Sequence, residues 1–162
     1  QGDELGIGTV EIPPERVRDP REQRQPGIGL GRDPSRTPMA WDASENAGFS
    51  PAEPWLPLHA DWRSRNVAAQ DADSGSMLAL TRALLALRRA EPALELGELA
   101  LLDAPDGVLA YERRHDGSTL RIVLNLTPRE VTVAWRGVPL LSTRAGRAEP
   151  GKLRPDEGLV LA

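Results

Sequence analysis

Two hydrophobic periods divide this chain. Between positions 73 and 96, Met77, Leu80, Leu84 and Leu87 recur at a 3-4-3 spacing, with Leu78 and Leu85 beside them. That is the apolar stripe of an amphipathic helix. Asp73, Ser74 and Ser76 are its N-cap candidates, Arg82, Arg88 and Arg89 bring positive charge toward its C-terminal end, and Pro92 is expected to stop it. From Leu99 onward the period becomes alternating. Residues 99–103, 108–113, 120–126 and 159–161 are candidate strands, as is the alternation Val131, Val133, Trp135. Asp116-Gly117 joins the second and third as a hairpin turn. In the third, Leu120, Ile122, Leu124 and Leu126 share one face. Short strands this close together predict a small antiparallel sandwich. Residues 1–75 fit neither period and read as one long loop; connections of that length are generally functional.

The chain has 162 residues, 40% hydrophobic and 27% charged, with net charge −4 and no cysteine. That is ordinary for a globular chain. The charge gives no basis for a nucleic-acid partner, and without cysteine there is neither a disulfide nor a thiolate metal site. No stretch approaches the roughly 20 apolar residues of a membrane-spanning helix. His59 and His115 are isolated, so no metal is expected.

Candidate chemistry concentrates in the loop. Pro34 and Pro38 restrict the backbone around Arg36, and a held guanidinium offers a planar fork of donors to a carboxylate or to sugar hydroxyls. On chemistry alone, a solvated surface arginine is the favoured reading, because arginines are common on surfaces. Arg16, Arg18, Arg21 and Arg24 alternate with Asp19 and Glu22 and read as a salt-bridged solvated face rather than a phosphate site. Pro14 opens a short helix. Gly27-Ile28-Gly29-Leu30-Gly31 is not a dinucleotide loop, because Pro26 precedes it and Asp33-Pro34 follows, leaving no strand–turn–helix context. Asp3 and Glu4 are adjacent, point to opposite sides of an extended segment, and are expected to bond loop backbone. Trp55 and Trp62 suit either a core edge or the face of a sugar ring, with the structural role favoured.

The run Gly31-Arg32-Asp33-Pro34-Ser35-Arg36-Thr37-Pro38-Met39-Ala40-Trp41-Asp42, followed by Asn46-Ala47-Gly48-Phe49, resembles a loop of the α-glucosidases and oligo-1,6-glucosidases of the alpha-amylase superfamily. The opening Gln1-Gly2-Asp3-Glu4-Leu5-Gly6 and the segment Asn66-Val67-Ala68-Ala69-Gln70 are similar to family segments in the same order. Ala40 departs from the family's glutamine. The resemblance implies the end of a (β/α)8 TIM barrel over residues 1–96, with Gln1–Gly6 at the exit of the eighth strand, residues to 75 as the eighth βα loop and the Leu-rich helix as the eighth. A C-terminal antiparallel β-sandwich domain follows over 97–162. It implies an α-glucoside oligosaccharide substrate, a cytoplasmic location, no cofactor, and Arg36 in the glucose subsite. Glycoside hydrolysis needs two flanking carboxylates; the resemblance places these upstream of Gln1, so a missing N-terminal barrel portion is an expected partner and the chain alone is expected to be inactive. A related glucosyltransferase, a trehalose synthase and a non-catalytic carbohydrate-binding module are the alternatives.

Overall fold

The computed structural model describes residues 1–146 and 148–162. The chain forms two compact units, residues 1–81 and 82–162.

The first unit is not a featureless loop. It contains two short helices, α1 (Pro20–Arg24) and α2 (Val67–Asp71), and 3-10 turns at Asp3–Leu5, Pro14–Arg16, Asp33–Arg36 and Glu45–Gly48. With so little regular ladder, side chains satisfy the main chain instead. Asn66 caps α2, accepting from the Ala69 amide at 2.9 Å. Gln70 donates to the Leu5 carbonyl at 2.8 Å and accepts from the Leu78 amide at 2.9 Å. Gln70 thus ties the start of the chain to the first turn of α3 (Met77–Ala90). The cap of α3 is Ser76, whose Oγ accepts from the Ala79 amide at 3.1 Å.

The leucine stripe is helical as expected, but Leu78 is the buried residue of α3, and Met77, Leu84 and Leu85 are exposed among the described residues. Pro92 does not merely stop the helix. It opens α4 (Pro92–Leu96), because proline's missing N–H costs nothing in a first turn, while Glu91 before it is forced to extended angles, φ −112° and ψ 96°.

In the second unit, β1 (Glu98–Leu101), β2 (Val108–His115), β3 (Ser118–Asn125), β5 (Pro139–Ser142) and β7 (Gly158–Leu161) form an antiparallel sheet in the order β1-β2-β3-β7-β5. A separate ribbon pairs β4 (Val131–Thr132) with β6 (Lys152–Leu153). The Asp116-Gly117 turn closes β2 on β3, with φ of 45° and 81°; both positive values are what a two-residue hairpin turn requires.

The core cluster lies on the Val123 face of β3, opposite Leu120, Ile122 and Leu124. Ala110, Val123 and Leu159 are cross-strand neighbours, and they cluster with Leu161, Val133, Ala148 and Leu153, the last brought in by the ribbon. Leu120 and Ile122 are also buried, but on the other face, next to α4, and Leu126 lies beyond the strand and is exposed. β3 places Leu120, Ile122 and Leu124 on one face and Val123, between Arg121 and Asn125, on the other, and buried residues occur on both. The expected strand through Val131, Val133 and Trp135 is only two residues long, although Val133 and Trp135 still pack on the core.

Candidate functional site

Asp19 is the anchor of the arginine loop. As the residue before Pro20 it caps α1, and one carboxylate oxygen accepts from the Arg21 amide at 2.9 Å. The other accepts from the Arg32 amide at 3.3 Å and from Arg32 Nε at 3.1 Å, and Arg36 Nη1 lies 3.6 Å from it. Asp19 is 1% exposed. The Arg21 amide, and then the bonds from Arg32, hold its carboxyl below the usual carboxylate range against the opposing effect of burial.

Asp33, between the two arginines in sequence, completes a reciprocal clasp. Its buried carboxylate accepts from the amides of Arg18 at 2.6 Å and Asp19 at 2.8 Å. Pro34 sits in the first turn of the 3-10 segment that carries Arg36, and the Gln1 side chain donates to the Thr37 carbonyl at 2.6 Å. Gly31 is required because a Cβ there would stand 2.9 Å from Cβ of Glu22.

Arg36 therefore is tethered rather than free in solvent, with its side chain 47% exposed, and Arg32 shares the same carboxylate with 69% of its side chain exposed. Two guanidiniums fixed on one buried acid keep their remaining N–H groups for hydroxyl or carboxylate oxygens. Sequence reasoning singled out Arg36 and missed Arg32 and Asp19. The available signals were the second arginine four residues away and an Asp-Pro pair at a helix start.

The Trp41–Phe49 corner has its own logic. Asn46, Ala47 and Gly48 all have positive φ, at 53°, 58° and 64°, which folds the chain so that the Ala47 carbonyl accepts from Trp41 N at 2.9 Å. Asp42 bonds the side chain and amide of Ser44, which lowers its pKa. Ala40 is fully buried, and its carbonyl accepts from the Val67 amide at 3.0 Å.

His59 is 4% exposed; its Nδ1 lies 2.7 Å from Asp61, and Arg65 joins that carboxylate to the Gly6 carbonyl. Arg65, then His59, pull Asp61 down to a pKa of about 2. Glu4 accepts from the Gly2 amide, a loop-backbone role as expected. Trp55 is half exposed, and Trp62 lies under the guanidinium of Arg63 at 4.2 Å. The salt-bridged face expected around residues 16–24 is different in the structure. Arg16 pairs with Glu53, Asp19 serves Arg32 and Arg36, and both oxygens of Glu22 accept main-chain amides, from Gly27 and Gly31. No helix among the described residues is long and apolar enough to cross a membrane.

Comparison with known proteins gives this loop a context. Residues 1–97 match the model of the alpha amylase catalytic domain. A probable alpha-glucosidase of Rhizobium meliloti is 35% identical over 132 residues, covering 82% of this chain and 24% of the relative. An alpha-glucosidase of Pediococcus pentosaceus is 38% identical, covering 80% and 24% respectively. The chain thus spans about a quarter of the length of these relatives. Among solved structures, an alpha-glucosyl transfer enzyme superposes with TM-score 0.83 at 32% identity, over 100% of this chain and 32% of that one. Trehalulose synthase MutB from Pseudomonas mesoacidophila does so with TM-score 0.83 at 26% identity, over 99% and 34%. The matched segment contains Asp19, Arg32 and Arg36, and the chain belongs to the alpha-amylase family.

Proposed function

We propose that this chain is the C-terminal portion of a retaining, exo-acting α-glucosidase that hydrolyses α-glucosidic bonds of small maltose- or isomaltose-type oligosaccharides. In this reading residues 1–96 end a (β/α)8 barrel and residues 97–162 form the C-terminal β-sandwich domain. The observation that carries it is the pair of guanidiniums held on buried Asp19. Arg36, with Arg32 beside it, orients the non-reducing glucose through charge-assisted bonds. The exposed Met77, Leu84 and Leu85 of α3 support the reading, since an eighth barrel helix needs an apolar face toward the strands. The two reacting carboxylates come from the rest of the barrel, so the 162-residue chain alone is inactive; the location is cytoplasmic.

Arg36→Ala in the full protein should lower kcat/KM on p-nitrophenyl α-glucoside by about a hundredfold; near-normal turnover removes Arg36 from the subsite. Hydrolysis by the purified 162-residue chain would contradict the placement of the carboxylates. The likeness to an alpha-glucosyl transfer enzyme favours one second reading, transfer to a sugar acceptor. Products formed from maltose decide between them: glucose alone for hydrolysis, longer oligomers for transfer.

A further inference from the structure

The segment 16–24 carries more positive charge than its acids neutralise. Glu22 is occupied by the amides of Gly27 and Gly31, and Asp19 by Arg32 and Arg36. Arg21 and Arg24 are exposed, and neither forms an ion pair among the described residues. Together with Arg32, Asp19, Pro20 and Gln25 they line an open cleft of about 580 Å³. That volume lies within the range of small-molecule sites.

Asp19 keeps its negative charge and offsets Arg32, leaving the charges of Arg21 and Arg24 without an ion-pair partner among the described residues. It is 1% exposed, and both of its oxygens already accept hydrogen bonds from α1 and from Arg32. The cleft is therefore lined by the guanidiniums of Arg21 and Arg24, by Arg32 already paired with Asp19, and by Gln25, whose side-chain nitrogen can donate. Like charges gathered in this way repel, and a bound anion relieves the repulsion. A carboxylate has two oxygens for such donors. A phosphoryl group has three, arranged tetrahedrally, and satisfies forks arriving from three directions.

We propose that this cleft binds a phosphoryl group carried on a small sugar. The anion site stands on the cleft alone; the sugar rests on the glucose-binding reading of Arg36, which is tethered to the same Asp19. Binding uses Arg21 and Arg24 at the phosphoryl oxygens, with Arg32 between the anion and the sugar hydroxyls.

Calorimetry at low ionic strength, with inorganic phosphate, glucose 6-phosphate and glucose as separate titrants, tests this. Phosphate and glucose 6-phosphate should both bind, glucose 6-phosphate more tightly, and both should weaken as sodium chloride is raised. Arg21→Ala and Arg24→Ala should each weaken glucose 6-phosphate by about tenfold. Both alter exposed side chains, and an unchanged melting temperature separates lost binding from lost fold. No heat from either phosphate compound at millimolar concentration, or unaltered affinity in both variants, overturns the anion site. Glucose 6-phosphate binding no better than phosphate overturns the sugar. Unimpaired hydrolysis by Arg36→Ala removes Arg36 from the glucose subsite but leaves phosphate binding untouched, so the two failures are distinct.

Discussion

The carboxylate of Asp33 holds the backbone amide of Asp19 at 2.8 Å, and Asp19 in turn holds the two arginines on either side of Asp33. Each acid depends on the segment that carries the other, so the loop closes on itself without a strand ladder.

This clasp gives the first prediction. Asp33→Ala strands the amides of Arg18 and Asp19, which now bond a buried carboxylate. The expected loss is about 3 kcal/mol, from two bonds to a charged acceptor. Asp33→Asn keeps one acceptor oxygen and should lose less. Urea denaturation of the three proteins measures this, and an Asp33→Ala midpoint equal to the parent's would mean the clasp does not stabilise the loop.

The Trp41–Phe49 corner gives the second. Gly48 has φ +64°, and a Cβ there would lie 2.8 Å from Oδ2 of Asp42. Gly48→Ala combines left-handed strain with that close approach and should destabilise by about 1–3 kcal/mol. Gly117→Ala has positive φ but open space around the added carbon, so it should cost less. Equal losses at the two positions would show that backbone strain, not the Asp42 contact, accounts for the effect.

The third concerns pH. Asp61 has its pKa lowered from 3.8 to about 2, by Arg65 first and then His59. A carboxyl depressed on folding stabilises the native state above its unfolded value, and that contribution disappears as pH falls through the folded value. Stability should therefore decline between about pH 4 and pH 2, and Asp61→Asn should flatten the curve in that window. A parent and variant with parallel melting curves from pH 5 to pH 2 would exclude this role.

The fourth tests the position of the core in the second unit. Val123 is 1% exposed and Leu126 is 67% exposed. Val123→Ala should cost about 2 kcal/mol, whereas Leu126→Ala should stay within about 0.5 kcal/mol. The reverse order in a denaturant series would contradict the placement of the core around Val123.

Much of this chain was legible without coordinates. The α3 leucines repeat at helical spacing, and Asp116-Gly117 between alternating runs encodes a hairpin locally. Pro34 and Pro38 restrict the backbone locally, but the arginine loop was singled out by its resemblance to the family loop, since chemistry alone favoured a solvated surface. What distance in sequence hid was different in kind. Asp19 and Arg36 are 17 positions apart (36 minus 19), and no period links them. Pro92 was read as a stop because proline breaks a helix interior, but it equally begins one.

The sequence by itself determined the elements whose stabilising contacts are local: the α3 stripe, the hairpin turn and the proline-restricted arginines. Only the tertiary structure decided which face of β3 is the core, that Arg32 and Arg36 share one buried acid, and that Arg21 and Arg24 are left without ion pairs among the described residues. Those outcomes depend on which distant groups meet. A strand with buried residues on both faces, or a charge with several candidate partners, leaves that choice to packing and to the satisfaction of buried polar groups.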